Sequence, residues 1–242
     1  MLTPSRQIPP LAAALVVFVL AAVAAASLIW RLEQVDRQEQ RARASNLVVD
    51  HAHALQRGIE RALSMTYVLA ALLRQGNGTI PDFDVVGLQM LPLYPGVSGV
   101  SLAPAGIIRS TVPLAGNERA VGLDLLTYPL TRKEAAIARD TGRLTLAGPF
   151  ILASGQFAAT GRLPIFLDDA RGNPSFWGFI NVVIGFPEAL EVARLPQLAQ
   201  EGFDYELWRI DPDTGQKRII AASASAGLNE PQERPLEVPN AT

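Results

Sequence analysis

Residues Val112–Phe166 read VPLAGNERAVGLDLLTYPLTRKEAAIARDTGRLTLAGPFILASGQFAATGRLPIF. This stretch decides the fold class, because helix and strand signals alternate within it. Thr131 followed by Glu134 is a capping-box signature and predicts a helix running through Asp140. Arg143–Ala147 and Arg162–Leu167 predict strands on either side of a glycine-containing loop. Working outward, Gly99–Ala103 and Ile107–Val112 flank Pro104-Ala105-Gly106 and read as a hairpin. Asp168–Pro174 is a turn and Phe176–Ile184 a long apolar strand. Pro187 starts a short helix to Leu195, and Tyr205–Ile210 pairs with Arg218–Ala222 around Asp211-Pro212-Asp213-Thr214-Gly215. Strands interrupted by helices, in two consecutive sets, predict an α+β fold of two small lobes.

Upstream the chain changes character. Leu11–Trp30 is twenty residues without a charge, flanked by Arg6 and Arg31. At about 1.5 Å per residue such a helix reaches roughly 30 Å, the thickness of a bilayer's hydrocarbon core. Small residues at Ala22–Ala26 also admit a cleavable signal peptide, but the length of the run favours a retained transmembrane anchor. Counting Arg6 against Arg31, Arg37, Arg41 and Arg43 would by itself put the bulk of the chain inside.

A long stalk helix is expected to follow. Glu33–Arg37 and Glu39–Arg43 are acid-first pairs four residues apart, the favourable order on a helix. Val48, Ala52, Leu55, Ile59, Ala62, Thr66, Leu69 and Leu73 then form a heptad seam. It suits a parallel partner helix, packing of the following domain on its own stalk, or an ordinary amphipathic helix buried on one side. Gly76-Asn77-Gly78 ends the helix.

Composition excludes several function classes. A formal net charge of −2 gives no basic field for nucleic acid. The absence of cysteine removes disulfides, thiolate metal sites and cysteine nucleophiles. The only histidines, His51 and His53, lie about 200° apart around a helix and read as solvated stalk residues, so neither a histidine triad nor a transition-metal site is expected. Asp211-x-Asp213-x-Gly215 is a poor calcium loop, since Ala222 stands where a bidentate Glu is required, and a β-turn explains it better. Gly148, Gly155 and Gly161 match no phosphate-binding spacing. The sequons Asn77-Gly78-Thr79 and Asn240-Ala241-Thr242 matter only in a eukaryotic secretory pathway. No enzyme signature, cofactor motif or metal site is read.

Several spaced blocks follow one another in the order of a known family: Tyr94-Pro95-Gly96-Val97, Gly122-Leu123-Asp124-Leu125, Ala138-Arg139-Asp140-Thr141-Gly142, Gly148-Pro149-Phe150 and Leu163-Pro164-Ile165-Phe166. With them the chain resembles the CHASE domain, the extracytoplasmic sensor of bacterial histidine kinases and diguanylate cyclases, related to plant cytokinin receptors. The resemblance implies a long helix carrying two PAS-like lobes with antiparallel sheets. It implies a small-molecule ligand in the membrane-distal lobe, a parallel homodimer, periplasmic lobes tethered to the inner membrane by a single span, and a cytoplasmic output domain. Homologous sensors continue past a block like Pro239-Asn240, so the chain is expected to be a fragment. The alternative is a membrane-tethered binding protein without signalling output.

The resulting division is a cytoplasmic N-terminus (1–10), a transmembrane helix (11–30), a stalk helix (31–76), a membrane-distal lobe (77–173) and an incomplete membrane-proximal lobe (174–242). Cytokinin receptors of the family read adenine with an acidic side chain where this chain has Thr131, which the resemblance makes a pocket position and the residues make an N-cap. A pocket threonine of those receptors corresponds to Arg162 here. A buried arginine needs an anionic partner, so a ligand with a carboxylate or phosphate is expected on Arg162, lined by Leu146, Ala147, Phe150, Tyr128 and Thr131. Pairing of Arg162 with an acid such as Asp124, or its exposure to solvent, is the equal alternative.

Overall fold

In the computed structural model, residues 10–211, 214–223, 228 and 231–239 are described. Helix α1 runs Pro10–Gln75, and the chain up to Val48 and the chain from Val49 onward are two units. In the first unit the side chains of Leu15, Val17, Phe18, Val19, Leu20, Val23, Leu28, Ile29 and Trp30 are 49–72% exposed. The most apolar window of the helix has a mean hydropathy of 1.5, and none of it is buried, so length and composition suit a bilayer crossing. Residues 1–9 of the expected cytoplasmic segment lie outside the described residues, as do Pro212, Asp213 and the sequon Asn240-Ala241-Thr242.

In the second unit the seam on α1 is used within the domain. Leu55, Ile59, Ala62, Thr66, Leu69 and Leu73 are all buried, joined by Leu63 and Met65. That face lies on a sheet of the same chain, which occupies the positions a partner helix would need. The helix ends as expected: Gly76 and Gly78 donate back to Leu72 and Leu73, and Asn77 and Gly78 turn left-handed. His51 departs from expectation. Its Nδ1 lies 2.8 Å from the carbonyl oxygen of Ala193, so it is half-buried and pins the helix to the turn after α4 (Phe186–Val192). His53 is exposed.

The sheet comprises β1 (Val97–Pro104), β2 (Ser110–Val112), β3 (Thr145–Ile151), β4 (Phe157–Asp168) and β5 (Pro174–Gly185). All pairs are antiparallel, in the order β2-β1-β5-β4-β3. This corrects the boundary expected at 173/174. Asp168–Pro174 is the turn of the β4–β5 hairpin, where the Asp169 carboxylate accepts the N–H groups of Arg171 and Asn173. β5 then lies at the sheet's centre between β1 and β4, so the strand assigned to the second lobe completes the first.

Side chains alternate across each strand, so registered residues share a face. Val100, Val182, Gly161 and Leu146 form one rank, and α1 packs on their side. Gly161 allows the approach, because a Cβ there would overlap Leu63. On the opposite face lie α3 (Arg132–Thr141) and the segment before it. Ala103, Ile108, Leu125, Ala135, Ala138 and Phe179 form a buried apolar cluster there.

The single helix expected from Pro187 is two: α4 and α5 (Leu195–Gln200) meet at Arg194, whose φ is 57°. Helix α2 (Phe83–Met90) packs on β2, Gly87 facing Val112. Strands β6 (Glu206–Ile210) and β7 (Lys217–Ala222) form a separate hairpin, as expected. Arg209 of β6 donates to the carbonyl oxygen of Gly148 at 2.6 Å. At the β3 edge, the amide of Leu146 donates to the carbonyl oxygen of Pro239 at 3.2 Å, which engages an otherwise open donor.

Candidate functional site

One rank of the sheet, on the face away from α1, is polar across all five strands. Reading from β2 to β3 it runs Thr111, Ser101, Asn181, Arg162, Thr145, each directly opposite the next. All five are buried. Apart from Thr66 on α1, the other buried polar side chains among the described residues, Thr131 and Thr160, lie beside this rank.

The rank is wired by hydrogen bonds. Arg162 Nε donates to Asn181 Oδ1 at 3.0 Å, and Asn181 Nδ2 donates to Ser101 Oγ at 3.1 Å. Arg162 Nη1 donates to the Thr131 carbonyl oxygen at 3.3 Å, and the guanidinium carbon lies 5.6 Å from the centre of the Phe179 ring. Among the described residues Nη2 has no such partner. Arg162 is 1% exposed, so its charge is almost wholly removed from water. Burial pushes its pKa down to about 10, opposed by the Coulombic attraction of Glu134. It therefore stays protonated at neutral pH. Of the alternatives for Arg162, exposure to solvent does not hold, and the acid that attracts it is Glu134, while Asp124 Oδ1 accepts the amide of Leu126.

Above the rank is a cavity of about 60 Å³. Its floor is Ser101, Asn181, Thr160 and Arg162; Tyr128 and Thr131 wall one side, and the β3–β4 hairpin from Phe150 to Ser154 walls another. Ile108, Leu125 and Val183 supply apolar surface. Ser154 Oγ, at the hairpin, is buried and makes no hydrogen bond.

Four of the six expected residues, Arg162, Phe150, Thr131 and Tyr128, meet at this cavity. Thr131 is the N-cap of α3 as expected, but its hydroxyl donates to the Leu125 carbonyl at 3.1 Å instead of capping. Leu146 is corrected to the other face: opposite Gly161, it points toward α1. Ala147, opposite Thr160, is on the cavity's face but 1% exposed and outside the lining. Asn181, Ser101 and Ser154 went unread. Asn181 had a signal, as the only polar side chain between Phe176 and Ile184 in an otherwise apolar run. Ser154, in a hairpin loop, had none.

The CHASE domain model matches residues 33–219. An extracellular ligand-binding receptor from Desulfohalobium retbaense DSM5692 aligns with 60% of the chain at 14% identity and a TM-score of 0.50; the chain spans 26% of that receptor. The extracellular domain of a protein assigned as a histidine kinase, rpHK1S-Z16, aligns over 76% of this chain and 89% of its own, at 14% identity and a TM-score of 0.52. That of a second, soHK1S-Z6, aligns over 76% and 88%, at 12% identity and a TM-score of 0.50. At these identities the likeness is one of fold. No curated protein matches the chain significantly. The matched family is a sensor domain, not a catalytic one. With most of its length matched, including every strand of the sheet under the cavity, the chain belongs to the CHASE domain family.

Proposed function

We propose that this chain is the ligand-sensing region of a membrane-bound signal-transduction receptor. It binds a small molecule in the cavity over Arg162 and signals to a cytoplasmic kinase or cyclase output domain. The observation that carries the reading is the buried, still-protonated Arg162 at the floor of a cavity in a sensor-family fold. An arginine with unpartnered donors inside a domain is costly to stability and is accounted for by a ligand. The exposed apolar helix around Val17–Trp30 supports anchoring in the inner membrane, and the likeness to extracellular domains supports a periplasmic cavity-bearing lobe against the arginine count. The strand order β2-β1-β5-β4-β3 supports a PAS-like description of that lobe, and β6–β7 is the beginning of the second. A parallel homodimer would use helix surface other than the buried seam, whose positions from Leu55 to Leu73 are filled.

Topology is directly testable because the chain has no cysteine. A single Asp169→Cys, in the exposed β4–β5 turn, is treated in intact spheroplasts with a membrane-impermeant maleimide. Labelling before lysis is the expected result, and labelling only after lysis removes the receptor reading.

A further inference from the structure

The cavity limits what can occupy it. One water-sized probe needs roughly 10–15 Å³ of such volume, so about 60 Å³ admits roughly four to six non-hydrogen atoms. The fused rings of a purine exceed that. Two donors point to the chemistry of the occupant. Arg162 donates through Nε and Nη1 to two neutral acceptors, Asn181 Oδ1 and the Thr131 carbonyl, and among the described residues its Nη2 group makes no hydrogen bond. Glu134 attracts it electrostatically. Ser154 Oγ is a buried hydroxyl with no hydrogen bond, on the wall of the same cavity.

From these we infer that the cavity takes a short-chain monocarboxylate of propionate size. The carboxylate sits on Arg162 Nη2 and the Ser154 hydroxyl, with the carbon chain against Ile108, Leu125 and Val183. The inference rests on the reading of this cavity as the ligand site. One guanidinium edge and one hydroxyl match the two oxygens of a carboxylate. Phosphate is matched less well, because Arg162 alone among the lining residues is cationic and the second charge of phosphate meets no second cation. The apolar wall also favours an occupant with one charged end and a hydrocarbon remainder.

The test uses the full chain in detergent micelles, with propionate, propionamide, inorganic phosphate and adenine as probes, read by calorimetry and thermal shift. Propionate is expected to bind saturably and to raise the melting temperature, while propionamide, of the same shape without the charge, does neither. Arg162→Gln weakens propionate about tenfold or more, the loss expected for a charge-assisted contact. Ser154→Ala, which removes a hydroxyl that bonds to nothing in the fold, weakens it several-fold. Equal binding of propionate and propionamide, or propionate binding indifferent to both substitutions, overturns the proposal. So does the absence of any propionate binding. If phosphate or adenine binds instead and Ser154→Trp blocks it, the sensor reading survives and the carboxylate does not. If Ser154→Trp leaves an identified ligand's binding unchanged, the cavity itself is the wrong site.

Discussion

Replacing Arg162 with methionine separates what this residue does for the fold from what it does for a ligand. Methionine keeps an unbranched apolar stem and removes the charge. Burial lowers the proton affinity of Arg162 from the ordinary arginine range to about 10. A fall of roughly two and a half decades, at about 1.4 kcal/mol each, means the charge is held at a cost of about 3 kcal/mol. Against that relief, Arg162→Met strands the Oδ1 atom of Asn181, which costs about 1–3 kcal/mol. The Thr131 carbonyl is not stranded, because the amide of Ala135 also donates to it at 2.9 Å. The net expectation in the ligand-free protein is no loss of stability and a gain of up to about 2 kcal/mol. At roughly 2–4 °C per kcal/mol for a domain of this size, the melting temperature should hold or rise by a few degrees. Thermal and urea unfolding followed by circular dichroism would measure it. A fall of more than about 4 °C would show that Arg162 holds the ligand-free fold together, and the argument that its burial serves a ligand would be refuted.

Four further outcomes follow from the same geometry. Asn181→Leu removes the acceptor of Arg162 Nε and leaves the charge in place, so it should destabilise by about 2–3 kcal/mol in urea unfolding, the opposite sign to Arg162→Met. Gly161→Ala, pressing on Leu63, should lose about 1–3 kcal/mol, and adding Leu63→Ala should recover part of it in a double-mutant cycle. Leu69→Ala, at a wholly buried position of the seam, should cost about 2–5 kcal/mol by the same assay. Asp169 has its carboxyl held below the usual carboxylate range by the N–H groups of Asn173 and Arg171. Its contribution to the β4–β5 turn is therefore present above the unfolded carboxyl's pKa and lost as pH falls through the lowered folded value. Asp169→Asn should remove that acid-range change in the amide resonances of Arg171 and Asn173.

Local signals carried well and long-range pairing did not. Thr131 as the N-cap of α3, the β4–β5 turn and the β6–β7 hairpin are written in adjacent residues, and each is present. The placement of β5 is not, because its partner β1 lies about eighty residues away, as the Asn181–Ser101 bond shows. The boundary expected at 173/174 therefore falls inside a turn of one lobe, although the turn itself is where the sequence puts it. The site followed the same division. Arg162, Thr131, Phe150 and Tyr128 could be gathered from the sequence, whereas Leu146 was assigned to the wrong face because its register against Gly161 is set across strands. The heptad seam was legible as a seam, but its spacing is the same whether a partner helix or a sheet receives it. His51 read as solvated because nothing near it in sequence announces the Ala193 carbonyl.

Gly161 and Arg162 are neighbours in β4 that face opposite ways, the first against Leu63 of the long helix and the second into the cavity. A peptide bond, not a chain of relays, thus separates the floor of the cavity from the helix that the sensor would have to move. Any ligand that draws the guanidinium toward itself tugs on the backbone at the very point where the helix rests, with no Cβ to cushion the push. Occupancy and helix position would then be read through one residue's backbone torsions.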